Sequence, residues 1–424
     1  MPRETLTRRD FGKAAGLAGA GAGAAALAGC SSGTADVSRV AAARAWKVSG
    51  SALAGLGGFD STVKSFMQAR NIPAGQLAVV RKGKLVLSRG YTWSDSSTLN
   101  TQPTSLFRVA SISKPLTATA VLRLVQDGKL KLTDSVATLL GLSTTADPRL
   151  KDVTVLRLLQ HLGGWDRDIT PDPMFQDKAI ATALGKALPI KQADIMRYVS
   201  GRKLDHAPGT KYAYANYGFM LLGRIIEKVS GKSYATYVQE AVLTPRAIKR
   251  MKQGRTLTKA TGEVPYYSAN TGPTVFDNTG KSVAFPYGAF NLENMDSHGG
   301  WLATAMDLTR FASIYDGGTS VLNAASISRA FAKPETGINA NGYYYGCGWL
   351  VRPVTGGLNT WHDGSLSGTS TLMVRRFDGL SWAVLFDQRQ EGSAPSYDDI
   401  DGLLHKAANG VTTWPTGDLY SKYF

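Results

Sequence analysis

Strand-like sequence lies at both ends of this chain, and helix-like sequence fills the middle. Leu77-Ala78-Val79-Val80 and Leu85-Val86-Leu87 flank Arg81-Lys82-Gly83-Lys84, the pattern of a hairpin with a glycine turn. Gly348 to Arg352, Thr369 to Arg376 and Leu380 to Phe386 are apolar or alternating again, and Phe377-Asp378-Gly379 turns the last pair. Between these ends, helical spacing predicts helices over Val153 to His161, Tyr217 to Ser230 and Trp301 to Tyr315. Asp60 to Arg70 and residues 398–408 share that spacing. The run from about Ser111 to Asp127 is apolar all round and stops at Gly128, which predicts a buried central helix. One sheet must then draw strands from both chain ends, so the expected class is α+β with a helical insertion.

The 424 residues are 43% hydrophobic and 19% charged, enough for a full core and unlike a disordered chain. No run of about 20 large apolar residues occurs, which argues against a polytopic membrane protein. Two cysteines, Cys30 and Cys347, exclude a disulfide scaffold and a cysteine zinc site. The five histidines (161, 206, 298, 362, 405) are dispersed, so neither a metal nor any other cofactor is expected.

Residues 1–29 are expected to be an export signal. Thr7-Arg8-Arg9-Asp10-Phe11-Gly12-Lys13 has the twin-arginine pattern. A weakly apolar Ala/Gly run follows and ends in Leu27-Ala28-Gly29-Cys30, which resembles a bacterial lipobox. Cys30 is therefore expected to carry lipid and to anchor the protein on the outer side of the cytoplasmic membrane, the alternative being plain secretion. Residues 30–55 are expected to be a flexible tether, and 56–424 the folded domain. The net charge of +16 is scattered, with no Lys/Arg run longer than two. That argues against nucleic acid as a partner and fits anionic polymers of a cell envelope. A small-molecule or peptide substrate and a monomeric state are expected.

No Walker loop or His-Glu-x-x-His occurs. Ser-x-x-Lys occurs three times, at Ser61, Ser111 and Ser200. Ser111 stands where the buried helix should begin, and Lys114 returns to the same helix face one turn later. A serine hydroxyl is a poor nucleophile until a base removes its proton. Burial disfavours the ammonium form of lysine and makes such a base. Ser61 and Ser200 are adequately explained as helix-end serines. Tyr-x-Asn occurs as Tyr214-Ala215-Asn216, where a phenol could relay protons and an amide could orient substrate or Lys114. His-x-Gly occurs three times, and only His362-Asp363-Gly364 leads into the C-terminal strands. An edge strand there could lie beside Ser111 and offer a backbone N–H to an oxyanion.

Ser111-x-x-Lys114, Tyr214-x-Asn216 and His362-x-Gly364, in this order, resemble the serine β-lactamase and penicillin-binding-protein superfamily. The nearest resemblance is to its branch of class C β-lactamases, D-Ala-D-Ala carboxypeptidases and esterases. Val153 to His161, Pro208 to Gly223, Gly299 to Leu308 and Tyr345 to Trp349 agree with it, and the likeness covers about residues 58–410. It implies a β-lactamase/transpeptidase-like fold. Helices would flank an antiparallel sheet in one lobe (about 56–150 and 300–424), with a mostly helical lobe inserted (about 151–299). It also implies an acylated Ser111, Lys114 and Tyr214 handling protons, and Asn216 on the substrate amide. His362, Gly364 and Ser365 would line the substrate site, with the N–H groups of Ser111 and Ser365 as the oxyanion hole.

Two departures matter. Lactamases of this family usually carry Lys-Thr-Gly where this chain has His362-Asp363-Gly364. Histidine is less reliably cationic near pH 7, and a carboxylate at 363 facing the cleft would repel an anionic ligand. Weak β-lactam hydrolysis is expected, with a neutral ester or amide, or an amine-bearing peptide, as the better substrate. His161-Leu162-Gly163-Gly164 replaces His-Thr-Ser-Gly, with His161 expected to be a scaffold residue. Lactamase, carboxypeptidase, D-aminopeptidase and esterase stay open as activities. A sensor that acylates without turning over is the rival of another class.

Overall fold

A computed structural model describes residues 44–317, 319–392 and 395–424. The expected export signal, Cys30 and the first part of the tether lie outside the described residues.

The frame is an eight-stranded sheet. Its strands are β1 (Ala45–Ala52), β2 (Ala74–Arg81), β3 (Lys84–Ser94), β4 (Tyr344–Tyr345), β5 (Leu350–Val354), β6 (Gly357–Leu366), β7 (Thr369–Arg375) and β8 (Leu380–Phe386). They lie in the order β1-β3-β2-β8-β7-β6-β5-β4, and each neighbouring pair is antiparallel. The first and last thirds of the chain meet where β2 pairs with β8, Ala78 opposite Ala383. Alternation in these strands serves two buried faces. Leu77 and Val79 join one core with Leu372, Val374, Trp382 and Val384, covered by α1 (Gly57–Ala69) and the C-terminal helix Asp399–Asn409. Ala78 and Val80 join the larger core with Met373 and Ala383, against α2 (Ser113–Gln126). α2 is walled over most of its length, with Ser113 to Leu122 buried and only its last turn partly exposed.

Two expectations are corrected. Residues 45–52 are not tether. They form the outer strand of the sheet, in register with β3 from Ala45↔Ser94 to Ala52↔Leu87. Gly50, at φ +84°, marks that pairing: a Cβ there would sit 2.3 Å from the Ser88 carbonyl oxygen. Trp301–Ala303 is a strand, and the helix is only Ala305–Ala312, begun by a capping box between Thr304 and Asp307. The inserted lobe is helical over Asp177–Leu184, Gln192–Ser200 and α3 (Asn216–Ser230). It also sends Lys252–Gln253 to pair with Trp301–Leu302, and it carries a small hairpin, Thr271–Pro273 with Ser282–Ala284.

Candidate active site

Ser111 lies in a one-turn 3-10 segment, Ala110–Ile112, that runs straight into α2. The turn is fixed from several sides. Phe107–Arg108 pairs with Leu302–Ala303, and the Val109 N–H donates to the Trp301 carbonyl at 2.9 Å. Thr371 Oγ1 donates to the Val109 carbonyl at 3.0 Å. Ala110 holds φ +47°, a left-handed conformation that costs a non-glycine residue energy and persists only where its surroundings impose it. Ser111 is half-buried and open to the cleft.

Lys114 is completely buried. Its Nζ lies 3.0 Å from Ser111 Oγ, 2.8 Å from Asn216 Oδ1 and 3.1 Å from the His298 carbonyl oxygen. Burial pushes its ammonium pKa well below the ordinary lysine value; Asp172 pulls it back up, Arg167 lowers it further and Asp363 raises it. A neutral amine has two N–H groups and one lone pair. Asn216 Oδ1 and the His298 carbonyl can only accept, so they take the two N–H groups. The lone pair is left for the one neighbour able to donate, the Ser111 hydroxyl.

Tyr214 is hydrogen-bonded to Ser111, and its ring centre is 4.7 Å from Lys114 Nζ. Burial drives its phenol pKa upward, against the lowering effect of that hydrogen bond and of Arg167. Burial thus favours the neutral form of both groups, the protonated phenol of Tyr214 and the free amine of Lys114. His161 supports this tyrosine. Its ring lies 4.3 Å from that of Tyr214, and its Nδ1 accepts the Ala215 N–H at 3.2 Å.

The His362-Asp363-Gly364 segment lies at the far end of β6, past the last pairing with β5 at Leu350↔Trp361. The half-strand that follows borders the cleft, which is lined by Ser111, Tyr214, Asn216, His362, Asp363 and Ser365 among others. Gly364 is required by contact. A Cβ there would lie 2.3 Å from the Val109 carbonyl oxygen and 3.1 Å from the Ser111 nitrogen. His362 places Nδ1 2.6 Å from the Asp363 carbonyl oxygen and Nε2 2.8 Å from the Tyr345 hydroxyl. A carbonyl only accepts, so Nδ1 carries a proton.

The structure thus brings Ser111, Lys114, Tyr214, Asn216, His362, Gly364 and Ser365 to one cleft. Of the three His-x-Gly histidines, His298 and His362 line it, and His161 is buried behind Tyr214. The other two Ser-x-x-Lys serines lie apart and bond their own helices, Ser61 to Gly57 and Ser200 to Arg197. Two residues of the 165–173 loop escaped the motif reading. Asp172 accepts from Asn216 Nδ2 at 2.6 Å, and Arg167 sits 4.8 Å from the Tyr214 ring centre. Neither belongs to a spacing pattern, so no sequence rule pointed to them. Among the described residues no cluster of histidine, cysteine and carboxylate groups could hold a metal.

The protein flp of Staphylococcus aureus (strain MW2) is 29% identical over 192 residues, 45% of this chain and 36% of that protein. A probable fimbrial assembly protein FimD of Dichelobacter nodosus is 35% identical over 136 residues, 32% of each. The chain thus matches only about a third of the length of these curated relatives. Likeness of fold is wider. A class C beta-lactamase aligns with TM-score 0.65 at 18% identity, covering 85% of this chain and 97% of that one. The D-amino acid amidase of Ochrobactrum anthropi SV3 aligns with TM-score 0.64 at 21% identity, over 84% and 96%. A penicillin-binding protein homologue from Pyrococcus abyssi gives 0.63 at 24% identity, over 83% and 77%. The sequence model of the Beta-lactamase family matches residues 59–406, well over half of the chain, and the chain belongs to that family.

Proposed function

We propose that this protein is an exported serine hydrolase that cleaves ester or amide bonds through an acyl-Ser111 intermediate. One observation carries the reading: Ser111 Oγ lies 3.0 Å from a buried Lys114 whose other two acceptors are already fixed. Lys114 takes the hydroxyl proton as Ser111 Oγ attacks the carbonyl carbon. The N–H groups of Ser111 and Ser365 receive the developing oxyanion, and Asn216 binds a substrate amide. Tyr214 passes a proton to the leaving oxygen or nitrogen, and the C–O or C–N bond breaks. Water then attacks the acyl-enzyme and gives its proton back through the same pair, releasing the acid and free Ser111. The opposite directions in which burial moves the lysine and the tyrosine divide these roles.

Asp363 lines the cleft where a hydroxyl residue would help hold a substrate carboxylate. Neutral esters and amides, or amine-bearing peptides, are the preferred substrates, and β-lactams are poor ones. The fold shared with a D-amino acid amidase and a D-stereospecific amidohydrolase of Streptomyces supports amide chemistry. Steady turnover of p-nitrophenyl esters, lost in Ser111→Ala, is the expected result. A single stoichiometric burst would instead indicate the acyl-binding sensor. Export and the lipid on Cys30 rest on the N-terminal sequence. Fatty-acid labelling in cells should tag the wild type and not Cys30→Ser.

A further inference from the structure

The 165–173 loop sets two opposite charges behind the catalytic groups. Asp172 accepts from Asn216 Nδ2 at 2.6 Å and from the Met174 N–H at 3.1 Å. Asn216 in turn accepts from Lys114 Nζ at 2.8 Å through Oδ1, and Lys114 stands on Ser111. Arg167 and Lys114 lie against one aromatic ring, 4.8 and 4.7 Å from the centre of Tyr214.

Burial raises the Asp172 pKa, opposed by its hydrogen bonds from Met174 and Asn216 and by Arg167 and Lys114; in its ionised form the carboxylate accepts and cannot donate. The end of the Asn216 amide that faces Asp172 must therefore be NH₂, and the end that faces Lys114 must be oxygen. Without the carboxylate the amide is free to turn over. It would then present N–H groups to Lys114, competing for the lone pair that Ser111 needs. The loop also sets the field. Around Lys114 stand Asp172, Asp363 and Arg167, together with the imidazoles of His161 and His298, whose pKa values burial pushes well below the ordinary histidine value.

We propose that Asp172 and Arg167 are paired positioning residues: Asp172 acts through the Asn216 amide to hold Lys114 on Ser111, and Arg167, packed on Tyr214, balances the charge of Asp172. The inference rests on the acyl-serine reading above and adds to it the group that orients the base.

The test is the pH profile of kcat/KM for a p-nitrophenyl ester, with the full chain as wild type, Asp172→Asn, Arg167→Gln and the exchange Asp172→Asn/Asn216→Asp. Activity needs neutral Lys114, so removing the carboxylate moves the acid limb to lower pH, and removing the guanidinium moves it to higher pH, each by about one unit. Asp172→Asn also loses about 100-fold in kcat/KM at the optimum, since a slight misplacement of a catalytic group costs that much. The exchange variant restores a donor facing an acceptor. It recovers part of the lost rate and shifts the acid limb upward, because the carboxylate now touches Lys114. A limb unmoved in both single variants, or moved the same way in both, overturns the inference, even if the rates fall. If Asp172→Asn does not fold, Arg167→Gln and the exchange variant decide by the same directions. Wild-type protein that never turns over the ester sinks the acyl-serine reading and this inference with it. A working wild type with unmoved limbs sinks this inference alone.

Discussion

Ser61-x-x-Lys64 and Ser111-x-x-Lys114 share a spacing and differ in almost everything else. Ser61 is exposed on α1, and its hydroxyl donates back to the Gly57 carbonyl one turn earlier at 3.1 Å. Lys64 reaches across to the Trp46 ring, 5.3 Å from its centre, with solvent within reach. Ser111 sits on a strained turn at the head of a walled-in helix, and Lys114 is completely buried. The four-residue pattern brings a hydroxyl and an amine to one helix face in both places. Only desolvation, two fixed acceptors and an opposing strand turn the second pair toward proton transfer.

The sharpest way to break this comparison is to remove the amine on each side. Lys114→Met should lower kcat/KM for a p-nitrophenyl ester by about 100- to 10,000-fold, the range for loss of a general base. Lys64→Met should leave the rate within about twofold of wild type, as expected of a surface change. Equal losses in stopped assays would contradict the account.

The next largest effect concerns the strand that faces the turn. Gly364→Ala places a methyl 2.3 Å from both the Val109 carbonyl oxygen and Thr371 Oγ1. It should push β6 from Ser111, cost about 1–3 kcal/mol in thermal or urea unfolding as overpacking does, and lower turnover by about 100-fold. Unchanged turnover would show that β6 takes no part in the site.

The buried lysine should also be visible in stability. Folded Lys114 holds its proton less tightly than the unfolded chain does. Between the folded and unfolded pKa values, unfolding takes up a proton, so stability rises with pH through that window. Lys114→Met should flatten this part of the curve in urea titrations, whereas Lys64→Met should not. A slope that persists in Lys114→Met would assign it to another group.

The smallest expected effect is at the rim of the site. Asp363→Thr removes a carboxylate that lines the cleft and should speed acylation by benzylpenicillin about tenfold, the gain from one screened like charge removed. No improvement in stopped-flow acylation would remove Asp363 as the source of discrimination.

Much of this architecture was legible because period and punctuation agreed. The hairpin around Gly83, the helix from Tyr217 that Gly231 ends and the three motif segments all appear near their expected positions. What stayed hidden depended on partners distant in sequence. Ala45–Ala52 has the composition of a linker and becomes a strand only because β3 pairs with it. Trp301–Ala303 has helical spacing, yet Lys252–Gln253 and Phe107–Arg108 draw it into a sheet. The Thr304 cap beside it was a readable sign of a later helix start. Gly364 was legible as a motif, but its reason, an approach to the Val109 carbonyl, exists only in three dimensions. Arg167 and Asp172 sit in a loop with no period, so burial and contact alone reveal them.

The most direct test of the central claim is intact-mass spectrometry of the full chain after exposure to p-nitrophenyl esters, D-amino-acid amides and β-lactams, with peptide mapping of any adduct. The expected result is one acyl group on Ser111, lost again as product accumulates with its preferred substrates, and no adduct in Ser111→Ala. Turnover that continues undiminished in Ser111→Ala, or an acyl group mapped to another residue, would contradict it.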